Sequence, residues 1–174
     1  NNYGMIGNGV NGSTDEKLPL QVGTDTDWKT LTANVFDTCA TKNDGTLWCW
    51  GRNYARSHGL GHQDPSYVPR QAGSDTDWES IAIGESHMFG IKTGGDGYCA
   101  GSSYHGKCGT GIETTLYSPT LFAGQHKWTK LAASPYFSCG LTDTAKIFCW
   151  GLNHYGQLGQ LSTWNDEPML VGEP

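Results

Sequence analysis

The sequence predicts an all-β protein assembled from repeated four-stranded units, and three observations carry that expectation. Glycine and tryptophan are both over-used, with 25 Gly and 7 Trp in 174 residues, the glycine share being about twice ordinary usage. Only 16% of residues are charged, too few for the surfaces of a helical bundle or coiled coil. The third observation is an internal period. Trp28, Trp78 and Trp128 are spaced by fifty residues, as are Leu31, Ile81 and Leu131, Cys49, Cys99 and Cys149, and Gly51, Gly101 and Gly151. A fixed period of this length marks a repeat architecture in which each copy is one supersecondary unit.

Each copy contains the same strand signals in the same order. Trp28 to Ala33 suits a first short strand, Thr38 to Thr41 a second, and Thr46 to Trp50 a third. Asn43-Asp44-Gly45 between the last two reads as a three-residue hairpin loop, with Gly where a left-handed conformation is required. A longer Gly-rich loop follows Gly51, and a fourth strand falls near Tyr67 to Ala72. Pro19, Pro69 and Pro119 each precede a repeat Trp by nine residues, and Pro168 lies near the matching place in the last copy. Four short strands per copy make a β-propeller blade. The repeats run approximately 1–51, 52–101 and 102–151, with a partial copy at 152–174. By phase, the chain is expected to hold three copies of strands one to three and four of strand four. Three blades do not close a ring. The expectation is therefore either a piece of a longer protein or blades completed by other chains.

Three segments carry a family resemblance: Leu47-Trp48-Cys49-Trp50-Gly51, Ile147-Phe148-Cys149-Trp150-Gly151, and Asn153-His154-Tyr155-Gly156-Gln157-Leu158-Gly159. With the Pro and Trp anchors they resemble the regulator of chromosome condensation repeat, a propeller unit of this period, over essentially the whole chain. The other copies depart from the pattern only in loops, at Gly4-Met5-Ile6-Gly7, at Gly106-Lys107-Cys108-Gly109, and in a loop two residues longer that ends His58-Gly59-Leu60-Gly61. The resemblance implies a fold more firmly than an activity. Its members include exchange factors for small GTPases, a plant ultraviolet photoreceptor and a secreted inhibitor of β-lactamases. The secreted binders are nearest in character, because this chain is acidic and its cysteines suit disulfides.

The six cysteines form three expected pairs. Cys39 and Cys49 flank the hairpin loop symmetrically, so they lie opposite on adjacent strands at a separation a disulfide can close. Cys139 and Cys149 repeat this one hundred residues later. In the middle copy Phe89 takes the partner position, which leaves Cys108 for Cys99. Three disulfides point to an oxidising, extracellular setting. Asn11-Gly12-Ser13 is a glycosylation sequon in a polar loop. No secretion signal is visible at the N-terminus, though one is removed from mature chains.

The residues that carry chemistry converge on no reaction. No nucleophile elbow, phosphate loop or zinc-protease motif occurs, so the expectation is a non-enzymatic protein with no cofactor and no metal. His58 and His62 are four apart but separated by glycines, which reads as a solvated loop. His87 beside Glu85 reads more simply as a structural hydrogen bond than as a catalytic base. The doublets Asp25/Asp27 and Asp75/Asp77 read as local turns before a strand in preference to calcium ligands. A net charge of −6 without a basic patch argues against nucleic acid, and no apolar run approaches the ~20 residues of a membrane span. Recognition is expected where the copies differ, in loop aromatics and arginine. The candidates are Phe36, Tyr54, Arg56, His87, Tyr104, His105, Tyr136, Phe137 and Trp164. The expected partner is a protein or a glycan. The alternative is an assembly protein whose blades associate with other copies of itself.

Overall fold

The computed structural model describes residues 1–12, 16–122 and 124–172. Twelve strands form three four-stranded antiparallel sheets, each from a contiguous stretch and in simple meander order. The first blade contains β1 (Trp28–Ala33), β2 (Asp37–Lys42), β3 (Leu47–Gly51) and β4 (Ser66–Gln71). The second contains β5 (Trp78–Ile83), β6 (His87–Lys92), β7 (Gly97–Ser102) and β8 (Thr115–Leu121), and the third β9 (Trp128–Ala133), β10 (Phe137–Thr142), β11 (Ile147–Leu152) and β12 (Trp164–Leu170). The propeller-blade expectation holds, with the strands within a residue or so of their expected bounds. The sequon's Asn11 is exposed, whereas its Ser13 lies outside the described residues.

One part of the phase count is corrected. The copy of strand four expected around Pro19 is not a strand; Leu18 is 77% exposed and Leu20 50% exposed. A fourth strand forms by pairing with a third, and no third strand among the described residues lies beside it. The repeat prolines elsewhere sit in β4, β8 and β12, which end each sheet order. An edge strand is where the missing N–H is tolerated.

The core lies between blades. β5 packs across β1 and β2, and β9 across β5 and β6. β6, with a blade on either side, is buried at five of its six positions. β2 is buried at all six, with β5 over one face and the N-terminal segment over the other, where Thr38 Oγ1 and Trp50 Nε1 donate to the Met5 carbonyl. Because side chains alternate across a strand, one set of β6 residues meets each neighbour. Met88 joins Cys39, Leu47, Cys49, Trp78 and Ala100 between blades one and two. Phe89 and Ile91 join Cys99, Phe122, Trp128, Phe148 and Trp150 between blades two and three. There Phe89 meets Trp150 edge-on at 5.7 Å and Phe122 at 5.4 Å, contacts worth about 0.5–1.5 kcal/mol each beyond burial.

Three glycine placements make this packing possible. Gly45, at φ 78°, ends the first hairpin loop, and a Cβ there would stand 2.0 Å from the Thr76 carbonyl oxygen of the next blade. Its own carbonyl accepts the Trp78 N–H at 3.0 Å, tying hairpin to blade. Gly140 leaves the space that the Trp128 indole fills, since a Cβ would lie 2.4 Å from its Cζ3. Gly90 does the same for Trp78.

All three disulfides expected from the sequence are present: Cys39–Cys49, Cys99–Cys108 and Cys139–Cys149. The first and third join directly opposed residues of β2–β3 and β10–β11. The middle one anchors the loop after β7 and takes over a task done elsewhere by asparagine. In blade one, Asn53 donates to the carbonyls of His62 and Asp64 while accepting from the His58 N–H. In blade three, Asn153 holds its loop by the same three-point pattern on Gln160, Ser162 and Leu158. Ser103 stands there in blade two, and it is too short to reach as far.

His87 belongs to this interior and leaves the set of expected surface residues. It is fully buried, with its Nε2 3.1 Å from Ser138 Oγ of the next blade. Ser138 donates to the Lys107 carbonyl at 3.0 Å, so the imidazole donates at Nε2. Lys107 donates to Ser86 at 2.6 Å, and burial holds its ammonium below the usual lysine range despite Glu85. The structural hydrogen bond expected for His87 is therefore the one found, made across the blade junction.

Two consequences are measurable. Gly140→Ala drives a Cβ into a confined indole and is expected to destabilise the fold by about 1–3 kcal/mol; an unchanged urea midpoint would show that Trp128 is not seated against it. Burial, reinforced by the Lys107 charge, pushes the His87 pKa down to about 3, whereas an unfolded histidine takes its proton near 6.5. Between those values the unfolded state binds the extra proton. This group's contribution to stability should thus be constant above pH 6.5 and fall by about 1.4 kcal/mol per pH unit below it. Urea unfolding from pH 7 to 4 should show that slope in the native chain and lose about one proton's worth in His87→Gln; equal slopes would place the imidazole in solvent.

Candidate binding face

Register places the variable loops together. Asp37 faces Gly51, which faces Ser66; His87, Gly101 and Leu116 align likewise, as do Phe137, Gly151 and Asn165. The turns before β2, β6 and β10 and the long loops after β3, β7 and β11 therefore share one end of the blades. The hairpin tips around residues 44, 94 and 144 share the other. Of the nine candidates, eight lie at the loop end with some solvent access; His87 lies beneath it. Tyr54 (56%), Tyr104 (57%) and Tyr136 (54%) are well exposed. His105 is exposed, Phe36, Arg56 and Phe137 are half-buried, and Trp164 opens β12 opposite Leu152.

The densest part of this face is an arginine set among aromatic rings. The Arg52 guanidinium lies 4.6 Å from the Tyr54 ring centre, 4.7 Å from Phe36 and 5.4 Å from Tyr3. Tyr3 and Phe36 meet edge-on. From the same loop the Arg56 guanidinium sits 4.2 Å above Tyr117 of blade two, and its Nε is buried without a hydrogen-bond partner. Neither guanidinium pairs with a carboxylate among the described residues. The loop that presents them holds Asn53 (φ 52°), Ala55 (φ 52°) and Arg56 (φ 61°) in the left-handed region, a cluster of strain that folded surroundings must hold in place. Sequence reasoning found Phe36, Tyr54 and Arg56 but missed Tyr3, Arg52 and Tyr117. The alternation Arg52, Tyr54, Arg56 was the available signal.

Beneath this loop, Asp37 and His58 are both buried. Asp37 Oδ1 accepts from His58 Nε2 at 2.9 Å and from the Asn53 N–H at 2.8 Å. His58 is thus no solvated loop histidine, and it does not converge with His62, which is exposed and lies beside Asp64. A buried acid–imidazole pair with a backbone donor orders the loop from below.

At the hairpin end the aspartate doublets do something the sequence reading did not assign. Lys42 lies 2.7 Å from Asp25 and 3.2 Å from Asp27, with its ammonium over Trp28 and Trp48 at 4.9 and 4.8 Å. The hydrogen bond from Lys42 to Asp25 holds that ammonium above its ordinary pKa. Lys92 repeats the clamp with Asp75, Asp77, Trp78 and Tyr98. The doublets are therefore lysine partners, a role the turn reading did not include. The third blade carries Lys127 at the second aspartate position, and that lysine reaches back to Asp96 of blade two at 2.6 Å.

Comparison with known proteins bears on this arrangement. Two family models, each described as the regulator of chromosome condensation (RCC1) repeat, match residues 128–157 and residues 44–91 with 145–174. No curated protein matches the chain in sequence. Among solved structures, human WBSCR16 superposes with a TM-score of 0.84 at 17% identity, covering 98% of this chain and 45% of that one. Yeast RCC1 (Prp20) bound to Kap60 gives 0.75 at 20% identity, covering 84% and 37%. Prp20p from Saccharomyces cerevisiae, solved with its binding properties to Gsp1p and histones, gives 0.75 at 20%, covering 84% and 39%. The chain spans less than half the length of each of these structures. With matched repeats over more than half of its residues, and with blades that superpose on those propellers, this chain belongs to the regulator of chromosome condensation repeat family.

Proposed function

We propose that this chain is a secreted, non-enzymatic binding module that recognises a protein through the loop end of its blades. The observation that carries the reading is the gathering of exposed tyrosines, Trp164 and two stacked arginines at one end, the residue types that anchor binding surfaces. The groups able to do chemistry there, Asp37, His58, His87 and Lys107, are buried in hydrogen bonds that hold loops and blades together, which supports a role without catalysis. Three disulfides support an extracellular setting. A protein partner is favoured over a glycan by the Prp20p relative, whose structure was determined with its binding to Gsp1p and histones.

A second reading has its own observation. The outer face of blade one carries an open cleft of about 370 Å³ lined by Met5, Ile6, Val22, Trp28 and Trp50. On the outer face of blade three, Ile147 is 51% exposed beside Leu131 and Leu141. Faces like these are covered by another blade elsewhere in the chain, which supports association between copies.

Each reading has a test. A photocrosslinker placed at Tyr104 or Tyr136 should give protein adducts in the native extracellular fluid, while one at Asp44 or Thr144 should not; adducts from the hairpin end alone would overturn the loop-face reading, and glycan adducts would replace its partner class. Light scattering measures mass directly: dimers or larger species support blade association, and a monomer at high micromolar concentration rejects it.

A further inference from the structure

We propose that Arg52 and Arg56 form a carboxylate-recognition site for an acidic segment of a protein partner, an inference that rests on the loop end being the binding face. Rings stacked on a guanidinium cover its faces and leave its in-plane N–H edge to hydrogen-bond, and that edge matches a carboxylate in a two-point geometry. Arg52 is held in this way by Tyr3, Phe36 and Tyr54, and Arg56 by Tyr117. Among the described residues no side-chain hydrogen bond or ion pair uses the donors of either guanidinium; the Arg56 Nε is buried, so its outer Nη groups are the donors left to a partner. An arginine already immobilised loses little further side-chain entropy on binding, and a strained loop fixes the pair in place.

The charge pattern selects carboxylate over polyphosphate. Two guanidiniums make no basic stripe of the kind that tracks a nucleic-acid backbone, and a chain of net charge −6 supplies none around them. A short acidic stretch with an apolar neighbour fits better, because Tyr54, stacked on Arg52, is 56% exposed and Val35, next in sequence to the stacked Phe36, is 73% exposed.

The test uses the folded chain and a fluorescein-labelled hexaglutamate peptide, followed by anisotropy at low salt. Saturable binding is expected, weakening as salt rises. Arg52→Gln and Arg56→Gln should each weaken it at least roughly tenfold, the loss of one charge-assisted contact. Arg52→Lys should recover only part of it, because lysine lacks the planar fork. Arg70→Gln removes the same charge from β4, where Arg70 Nε donates to Ser66, and should leave binding unchanged. Should Arg52→Gln fail to fold, the native protein serves: the arginine Nε–H signals of Arg52 and Arg56 should shift on peptide addition while that of Arg70 stays still. No saturable binding, equal losses in all three glutamine variants, or tighter binding of a labelled hexathymidylate would each overturn the proposal. Loop-face crosslinks obtained with no hexaglutamate binding reject the carboxylate site alone. Crosslinks confined to the hairpin end reject the underlying reading, whatever the peptide does.

Discussion

A four-stranded sheet with apolar side chains on both faces has to be covered on both faces, and that requirement organises the whole chain. It explains why the core is two interfaces with no single centre, one between each adjacent pair of blades. It explains the glycines at positions 90 and 140, since an indole can lie flat against a central strand only where that strand lacks a Cβ. It also sets the period, because each blade must repeat the same anchors to meet its neighbour in the same way. What the requirement leaves unspecified is the end of the blades where the long loops emerge, and that end is where the three copies differ most.

The same logic separates what was legible in the sequence from what was not. Strand positions, hairpin loops and the three cysteine pairs depend on local spacing, and local spacing survives in a one-dimensional string. The unformed strand near Pro19 was not legible, because its residues look like those of β4 and differ only in having no third strand beside them. Burial of His58 and His87 was hidden for a related reason. Both lie in or beside Gly-rich loop sequence, and what buries them is a neighbouring loop or blade, Ser138 lying 51 residues away from His87. Arg52 is the clearest case. Its stacking needs Tyr3 and Phe36 to arrive from two other loops, and no periodicity reports that meeting.

Differences between copies carry information once the shared frame is subtracted. Blade two has Phe89 where blades one and three have a cysteine, and Ser103 where they have asparagine. These two changes are compensated together: Phe89 enlarges the core toward Trp150, and the freed Cys99 bonds Cys108 to hold the loop that Ser103 cannot. Three blades thus reach equivalent loop anchorage by two chemistries, hydrogen bonds from a buried amide or a covalent staple. Anchorage of either kind leaves the outward-pointing side chains of the loop free to vary.

Charge is treated differently at the two ends of the blades, and the contrast supports the loop end as the proposed binding face. At the hairpin end Lys42, Lys92 and Lys127 each meet aspartates within 3 Å, and two of them also rest on indole or phenol rings. Those cations are neutralised where they stand and have little left to offer a partner. At the loop end the rings are spent on guanidiniums instead, and no carboxylate among the described residues closes the circuit. Aromatic stacking orients a cation without cancelling its charge. In a chain with a surplus of acidic residues, two oriented and uncancelled arginines are a local reversal of sign. A folded protein gains little stability from that arrangement by itself, so its structural value lies in what an oppositely charged partner would complete.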